Sequence, residues 1–271
     1  MVQPITYSPA YTLVPTYECF NRCTYCNFRV DPGQDNWLTL ADAQQRLQSL
    51  GQGVIEILVL SGEVHPQSAR RLQWFEHIYQ LCELALSNGF LPHTNAGPLS
   101  RSELEQLRSV NVSMGLMLEQ ISPHLMETVH RHAPSKVPKL RLQQLEWAGE
   151  LQIPFTTGLL LGLGETEAER EEALVEIAAI HQRWGHIQEV ILQPHSPGGS
   201  QSWQGKAFHA EDLVRGVAIA RQILPDDITI QVPPNLIKTP QILLACINAG
   251  ARDLGGIVPR DEVNPDYGHL S

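Results

Sequence analysis

The sequence contains no run of 18 apolar residues, although 42% of its 271 residues are hydrophobic, so we expect no membrane-spanning helix. Its opening residues, Met-Val-Gln-Pro-Ile-Thr-Tyr, lack a basic stretch followed by an apolar one, and we expect no secretory signal. Basic residues are scarce, since 19 Lys and Arg stand against 29 Asp and Glu and give a net charge of -10. An acidic chain without a basic stripe binds nucleic acid poorly. We therefore expect a cytoplasmic protein with neither a membrane nor a nucleic-acid partner.

Cysteine is also scarce, and its placement is uneven. Three of the five cysteines, Cys19, Cys23 and Cys26, fall within eight residues in a C-x3-C-x2-C spacing. The other two, Cys82 and Cys246, lie in apolar stretches and are predicted to be buried packing residues, because free cysteine behaves as a small hydrophobe. This usage fits a reducing compartment and does not indicate a secreted disulfide framework.

Three clustered thiolates can hold three irons of a 4Fe-4S cluster and leave the fourth iron open. A cluster that only carries electrons is usually closed by four cysteines, so an open iron indicates a place for a substrate or cosubstrate. One alternative is a zinc site with a fourth ligand, and another is a loop of unliganded thiols. The first 64 residues contain no His, and the cysteines do not form two close pairs. The spacing therefore favours the open cluster.

Short β-rich runs alternate with amphipathic helical patterns along the chain. Strands are predicted near residues 11–15, 54–60, 90–94, 112–118, 155–161, 187–193, 228–232 and 254–258. Helices are predicted near residues 40–50, 67–88, 101–109, 136–150, 167–184, 210–223 and 240–249. This alternation predicts an α/β fold, a parallel (βα)8 TIM-type barrel forming one domain over residues 1–271. An open doubly wound sheet is the alternative, weakened because no Gly-x-Gly-x-x-Gly follows an early strand.

The helix boundaries carry local signals. Capping-box spacing predicts helix starts at three pairs of residues: Thr39 with Asp42, Ser100 with Glu103, and Thr166 with Glu169. Only the residues from 259 to 271 follow the last predicted strand, and they include two prolines. The helix that would close the barrel is therefore expected to be short or absent.

Barrel enzymes carry their chemistry at the carboxyl ends of the strands, and polar residues or glycines occur at each predicted strand end. The candidates there are Ser61, Gly62, Glu63, His93, Asn95, Glu119, Gly158, Gly162, Gln193, His195, Gln231 and Asn235. A glycine inside a strand marks either the close approach of a ligand or tight packing. A carboxylate such as Glu119 can accept hydrogen bonds from a ribose diol, although a solvated loop acid is the alternative.

Several segments are more specific than the cysteine spacing. They are Asn27-Phe28-Arg29, Ser61-Gly62-Glu63, Pro92–Gly97, Ser113–Glu119, His130–Pro134, Pro154–Gly162 and Gln231–Leu236. Together with the cysteine loop they resemble the CofG family, from about residue 10 to about residue 267. CofG is the radical S-adenosylmethionine (SAM) half of the synthase for the deazaflavin 7,8-didemethyl-8-hydroxy-5-deazariboflavin (Fo). The sister CofH family has a different continuation after the third cysteine. One departure from the CofG pattern is the Val-His-Pro that follows Glu63.

This resemblance implies a 4Fe-4S cluster on Cys19, Cys23 and Cys26, with SAM on the open iron. It implies further that residues at the strand ends hold SAM, with glycines that let it approach closely. These SAM contacts are Tyr25 near the adenine, Ser61, Gly62 and Glu63 at the methionyl amino group, Glu119 at the ribose, Arg141 at the methionyl carboxylate, and Gly158 and Gly162. An arginine suits a carboxylate because two parallel hydrogen bonds can form, although Arg141 could also form a surface ion pair.

The family also implies the reaction. CofH joins tyrosine to a ribityl-diaminouracil, and CofG takes that adduct, removes a hydrogen atom with a 5'-deoxyadenosyl radical and closes the central ring with loss of ammonia. The implied partners are the adduct, a low-potential electron donor and a separate CofH enzyme. Two alternatives stay open: a CofH-like or other radical SAM enzyme on an aromatic amino-acid-derived substrate, and a non-catalytic zinc or iron-sulfur protein.

Amide side chains at the strand ends are the expected contacts for the ribityl-uracil part of that substrate. They are Asn95, Gln193, Gln231 and Asn235. A proton must also move during ring closure, and His titrates nearest to neutral pH. His93 and His195 are therefore the candidate catalytic residues for proton transfer.

Overall fold

The chain forms a closed barrel of eight parallel strands in sequential order. A computed structural model describes residues 4–237 and 239–268. The strands are β1 (Thr6–Leu13), β2 (Glu56–Leu60), β3 (Leu91–Asn95), β4 (Ser113–Gly115), β5 (Phe155–Leu161), β6 (Ile187–Pro194), β7 (Thr229–Gln231) and β8 (Asp253–Ile257). The helices are α1 (Leu40–Gln48), α2 (Arg71–Ser87), α3 (Arg101–Leu107), α4 (Pro138–Glu150), α5 (Glu167–Trp184), α6 (Ala210–Ile223) and α7 (Pro240–Ala249). The predicted barrel is confirmed.

Two strands differ from their predicted bounds. β1 begins at Thr6 rather than near residue 11, because Thr6 pairs with Asp253 of β8 where the barrel closes. β4 ends at Gly115 rather than near residue 118, and the backbone then reaches a φ of 68° at Glu119. The chain stays beside β5 after β4 ends, since the Glu119 N–H donates to the Gly158 carbonyl at 3.0 Å.

The predicted helix starts are confirmed in their local hydrogen bonds. Ser100 and Thr166 each accept a bond from the N–H three residues on, and the glutamate there bonds back to the capping residue. Thr39 caps α1 by accepting from the Asp42 N–H. Such a cap contributes about 1 kcal/mol to a helix, so these boundaries are fixed locally.

The main hydrophobic core lies between the barrel and its ring of helices. Ile57 of β2, Trp74 of α2 and Phe155 of β5 are fully buried in it. Cys82 and Cys246 are also buried there, which confirms that they are packing residues. Burying one large apolar side chain stabilises a fold by about 1.5–3 kcal/mol. This packing fixes the strands and therefore the positions of the segments that leave their carboxyl ends.

The described residues that follow β8, 258–268, form turns and no helix. They return to the rim of the barrel, where the Tyr267 hydroxyl donates to the Pro197 carbonyl at 2.8 Å. The Gly199 N–H donates to the Asp266 carboxylate, also at 2.8 Å. None of the helices in the described ranges is both long and apolar enough to cross a membrane.

Acidic side chains approach one another near the amino-terminal ends of the strands. Asp253 accepts bonds from the Thr6 hydroxyl at 2.5 Å and the Gly255 N–H at 2.6 Å. Glu189 accepts one from the Thr156 hydroxyl at 3.0 Å. Burial, with a further contribution from the Asp253 charge, raises the pKa of Glu189 to about 7. Ionised Glu189 therefore destabilises this end of the barrel.

Candidate active site

A cavity of about 250 Å³ opens at the carboxyl ends of the strands. It is lined by the cysteine loop that follows β1 and by the segments that follow β2, β4 and β6. Twelve of the predicted site residues line it: Cys19, Cys23, Tyr25, Cys26, Ser61, Gly62, Glu63, Asn95, Glu119, Arg141, Gln193 and His195. Residues that are up to 176 positions apart in sequence thus face one space, although their individual roles stay predictions.

The cysteine loop is held in place by backbone hydrogen bonds to distant parts of the chain. The Phe20 N–H donates to the Glu63 carbonyl at 3.0 Å, and the Arg22 N–H donates to the His132 carbonyl at 2.7 Å. The Thr24 carbonyl accepts from the Trp203 N–H at 2.8 Å. These bonds do not involve the cysteine side chains, so the loop is positioned without using them.

The turn after β2 lies directly against this loop. A β-carbon on Gly62 would lie 2.1 Å from the Glu18 carbonyl oxygen. The Gly62 N–H donates to the Thr16 carbonyl at 2.8 Å. Gly62 is therefore required for this close approach of two backbones, which brings Ser61 and Glu63 beside the cysteines.

The donor set and the space in front of it fit an iron-sulfur cluster. Three thiols face one open cavity, and five of five cysteines are free of disulfides. In the described residues, no three His, Cys, Asp or Glu side chains meet at a site the size of a single metal ion. An iron-sulfur cube separates its thiolate ligands more widely than a single ion does, so a loop that rings an open space suits it.

The environment of two of these thiols, Cys19 and Cys23, favours the protonated form in the absence of iron. Burial, with the nearby Glu63 charge, raises the pKa of Cys19 to about 11. Burial also raises the pKa of Cys23 to about 12, against the opposing effect of Lys136. A bound metal cation reverses this preference, because a coordinating thiol loses its proton. Cluster binding would therefore release protons from these thiols.

Two acidic and two basic side chains form a charge network beside the cysteines. The Arg141 guanidinium lies 3.3 Å from a Glu63 carboxylate oxygen and 3.8 Å from a Glu119 oxygen. The Lys136 ammonium lies 2.5 Å from the same Glu119 oxygen. Arg141 is 1% exposed, so it is not a surface ion-pair residue. The network balances two negative with two positive charges in a largely buried place.

This network keeps Glu119 ionised. Burial acts to raise the pKa of Glu119, but Lys136 and Arg141 outweigh it and hold that pKa below its ordinary value. Glu119 also has a φ of 68°, a backbone conformation that is uncommon for residues other than glycine. Such strain is concentrated at functional sites. Glu119 is thus a charged acceptor held at a fixed place on the cavity wall.

Lys136 and Asn21 are cavity residues that the sequence analysis missed. The Asn21 side chain donates to Glu63 at 2.9 Å and to the Ser135 hydroxyl at 2.8 Å. It thereby links the cysteine loop to the segment that carries Lys136. Neither residue follows a strand directly, so a search of strand ends could not find them. A basic residue five positions before Arg141, just ahead of α4, was the available signal for Lys136.

Tyr25 is held by a buried histidine that was also missed. The Tyr25 hydroxyl lies 2.9 Å from His130 Nε2, and Gln120 Nε2 lies 3.1 Å from His130 Nδ1. Burial, with the Lys136 charge, lowers the pKa of His130 to about 3, so the ring is neutral. The ring thus orients Tyr25 beside the cysteines without adding a charge.

The two predicted proton-transfer residues occupy different places. His195 lines the cavity, and its ring nitrogens lie 3.3 Å from the Lys206 carbonyl and 3.2 Å from the Gln201 side-chain oxygen. His93 is not among the residues that line the cavity. Its Nδ1 lies 2.7 Å from the Ser113 hydroxyl, and burial lowers the pKa of His93. Only His195 is therefore in direct reach of a molecule in this cavity.

Gly158 and Gly162 also lie outside the lining of this cavity, and the structure gives each a packing reason. A β-carbon on Gly158 would lie 2.3 Å from the Ile191 carbonyl of β6. Gly162 has a φ of 94°, and a β-carbon there would lie 2.8 Å from the Phe208 ring. Tight packing, the alternative interpretation of these glycines, therefore accounts for both, and their contact with SAM stays a prediction.

A second cavity, of about 180 Å³, adjoins the first and contains the remaining two predicted residues, Gln231 and Asn235. Gln193 lines both cavities. In the described part of the chain, the side chains of Asn95, Gln193 and Gln231 have no hydrogen-bond partner. Asn235 differs, since its amide nitrogen donates to Asp261 at 2.7 Å and to the Tyr267 carbonyl at 2.9 Å. Three of the four predicted amides are thus free to bind a ligand through both polar atoms.

Comparison with solved structures supports the fold. The chain superposes on the FeFe-hydrogenase maturase HydG from Carboxydothermus hydrogenoformans with a TM-score of 0.79 at 18% identity, covering 99% of this chain and 63% of that chain. It superposes on methylornithine synthase (PylB) with a TM-score of 0.71 at 14% identity, covering 95% of this chain and 73% of that chain. At these identities the likeness concerns the fold alone.

Comparison with sequence families is more specific. Residues 13–177 match the radical SAM superfamily. The 7,8-didemethyl-8-hydroxy-5-deazariboflavin synthase of Trichormus variabilis is 68% identical over 268 residues, which are 98% of this chain and 78% of that protein. The synthases of Synechocystis sp. and Trichodesmium erythraeum are 66% and 63% identical and are covered over 86% and 85% of their lengths. This chain therefore belongs to the radical SAM superfamily and, within it, to the family of the 7,8-didemethyl-8-hydroxy-5-deazariboflavin synthases.

Proposed function

We propose that this protein is a radical SAM cyclase that forms the deazaflavin Fo from 5-amino-5-(4-hydroxybenzyl)-6-(D-ribitylimino)uracil with release of ammonia. The observation that carries the proposal is the cavity in which three cysteines face the charge network of Glu63, Glu119 and Arg141. The identity of 63–68% to relatives that are named Fo synthases supports the choice of product.

The cofactors follow from the superfamily, whose members use a 4Fe-4S cluster and SAM. We propose that Cys19, Cys23 and Cys26 hold three of the irons and leave the fourth to SAM. When bound, the cluster and SAM would supply an electron and a 5'-deoxyadenosyl radical, which removes a hydrogen atom from the substrate. The barrel holds this chemistry in an enclosed site, as cofactor-dependent enzymes require.

The charged residues of the cavity would bind the polar groups of SAM. Arg141 presents a guanidinium that can pair with the methionyl carboxylate through parallel hydrogen bonds. Glu63 and the turn that begins at Ser61 offer acceptors for the methionyl amino group. Glu119, held ionised by Lys136, would accept from the two ribose hydroxyls. Tyr25, oriented by His130, would lie against the adenine.

The substrate would bind beyond SAM, where the free amides lie. Asn95, Gln193 and Gln231 present donors and acceptors that suit the uracil and the ribityl chain, and Asn235 adds its carbonyl oxygen. His195 lines the cavity and would accept the proton that leaves during ring closure. Ring closure then expels the amine as ammonia, which makes the enzyme a carbon-nitrogen lyase. The oxidation removes two electrons in all: one leaves with the hydrogen atom, and the other would return to the bound cluster.

We further propose that one domain carries this activity in the cytoplasm, beside a CofH enzyme that supplies the adduct and a low-potential electron donor. The five free cysteines support a reducing compartment.

The test is anaerobic turnover of the reconstituted protein. With SAM, a strong reductant and the adduct, we expect both 5'-deoxyadenosine and deazaflavin fluorescence, and both should vanish in Cys23→Ala. Cys246→Ala is the matched control, because Cys246 is buried on α7 away from the cavity. Deoxyadenosine without deazaflavin would reject the substrate, and neither product from cluster-loaded wild type would reject the enzyme.

A further inference from the structure

The second cavity is lined by two carboxylates that do not line the first one. It is bounded on one side by the ends of β7 and β8 and on the other by the segment 258–264 that follows β8. Two carboxylates of that segment, Asp261 and Glu262, line the cavity together with the amides of Gln193 and Gln231. Because Gln193 also lines the first cavity, a molecule bound near the cysteines can extend into the second one.

The two carboxylates differ in how many hydrogen bonds they accept. Asp261 is saturated, since one oxygen accepts from the N–H groups of Val263 and Asn264, both at 2.9 Å, and the other accepts from Asn235 at 2.7 Å. It anchors the segment. Glu262 instead accepts one hydrogen bond in the described residues, from a tyrosine to Oε2. Its Oε1 is left free to accept from a ligand.

Tyr17 fixes the position of Glu262. The Tyr17 hydroxyl donates to Glu262 Oε2 at 2.7 Å, and the Tyr17 ring packs on Phe28 with centroids 5.0 Å apart. Burial and the Glu262 charge raise the pKa of Tyr17, so the hydroxyl keeps its proton and remains a donor. A cation also lies near this carboxylate: Arg260 Nε is 3.8 Å from Oε1, on a largely exposed side chain.

The amide opposite Glu262 is placed by a glycine. A β-carbon on Gly255 of β8 would lie 2.3 Å from the Gln231 side-chain nitrogen. The absence of that carbon leaves room for the Gln231 side chain inside the barrel mouth. Gln231 and Gln193 supply both donors and acceptors, whereas Glu262 supplies an acceptor alone. A ligand with several hydroxyl groups, each both a donor and an acceptor, matches this set.

We propose that the second cavity binds the ribityl chain of the substrate and that Glu262 selects a hydroxylated chain over an unhydroxylated one. This inference rests on the proposed function, because that function supplies the ribityl group. Glu262 Oε1 accepts from the chain hydroxyls, Gln193 and Gln231 donate to and accept from them, and Tyr17 is a positioning residue for Glu262. The ring system stays in the first cavity, beside SAM.

Binding of two deazaflavins to the cluster-loaded, SAM-bound protein without reductant tests this assignment. One is Fo, and the other carries a methyl group in place of the ribityl chain. Quenching of deazaflavin fluorescence gives both dissociation constants. We expect wild type to bind Fo at least about tenfold more tightly than the methyl analogue, as one hydrogen bond to a charged group provides.

Single substitutions test how much each residue contributes to the preference for Fo. In Glu262→Gln the preference for Fo should fall by about tenfold, with binding of the methyl analogue unchanged. Tyr17→Phe should lose part of the preference, and Glu211→Gln, an exposed change on α6, should lose none. If Glu262→Gln fails to load its cluster, Gln231→Met replaces it with the same expectation. Equal binding of the two ligands by wild type, or an unchanged ratio in the loaded variant, would overturn the proposal.

Turnover of wild type with the adduct is measured beside the binding. If wild type makes Fo but binds both ligands equally, the ribityl assignment falls and the proposed function stands. If wild type binds Fo in a hydroxyl-dependent way but makes none, the cavity assignment stands and the proposed function falls.

Discussion

Replacing Glu189 with glutamine should stabilise the protein above neutral pH. Glu189 lies near Asp253 inside the barrel and has a pKa of about 7 against an ordinary value of 4.5. Between these values the folded protein keeps a proton that the unfolded chain has lost. The free energy of unfolding of wild type therefore falls as pH rises from about 4.5 to about 7 and changes little beyond for this group.

The size of the effect follows from the same two values. Their difference corresponds to about 3 kcal/mol. The Glu189 side chain is only partly buried, and solvent screens it, so we expect a gain of about 2 kcal/mol for Glu189→Gln at pH 8. At pH 5 the gain should be below about 1 kcal/mol. The glutamine oxygen can still accept from Thr156, so the comparison isolates the charge.

Urea unfolding at pH 5, 6, 7 and 8 under anaerobic, reducing conditions measures this gain. Glu176→Gln on the exposed face of α5 is the matched control and should show no pH-dependent change. A gain for Glu189→Gln that is the same at pH 5 and pH 8 would refute the electrostatic reasoning, because a packing effect does not titrate. A loss of stability at pH 8 would refute it as well.

Further predictions concern the cavity and one helix. Lys136→Met should lower the free energy of unfolding by about 3 kcal/mol, because it leaves buried Glu119 with a weaker partner; a loss below about 1 kcal/mol in urea unfolding would contradict this. Gly62→Ala should reduce the iron bound per chain after reconstitution, since its β-carbon would meet the Glu18 carbonyl at 2.1 Å; full iron content would contradict it. Gly216→Ala is the matched control, because nothing lies within 4 Å of the new carbon, and it should keep its iron and gain about 0.5–1 kcal/mol in helix α6.

Most of the fold could be predicted from the sequence because its signals are local. Alternating apolar patterns and capping pairs such as Thr166 with Glu169 depend on neighbouring residues, and the strands and helices lie within a few residues of their predicted places. The early start of β1 could not be predicted, because it depends on pairing with β8 at the other end of the chain. The same holds for Glu119, whose backbone conformation is set beside β5.

Cavity residues could be predicted where they belong to the cysteine motif, follow a strand directly or match the resembled family, and not elsewhere. Cys19 was found from the spacing of three cysteines, and Glu63 was found because the carboxyl ends of barrel strands meet at one rim. Lys136, which lines the cavity, and His130, which contacts Tyr25, were missed because they belong to the segment between β4 and α4. His93 was predicted to be a site residue because it lies near the end of β3. Its position on the strand alone does not tell whether its side chain faces the rim or the interior below it.

The contacts that hold the cysteine loop have a consequence for how the protein is made. Synthesis runs from the amino terminus, so Cys19 to Cys26 leave the ribosome well before His132 and Trp203. Of the backbone groups that bind this loop, the Glu63 carbonyl emerges soon afterwards, whereas those of His132 and Trp203 emerge much later. Until His132 and Trp203 emerge, the cysteines lack two of the contacts that hold their loop in place. Delivery of iron and sulfide to a finished cavity must therefore come after most of the chain has been synthesised.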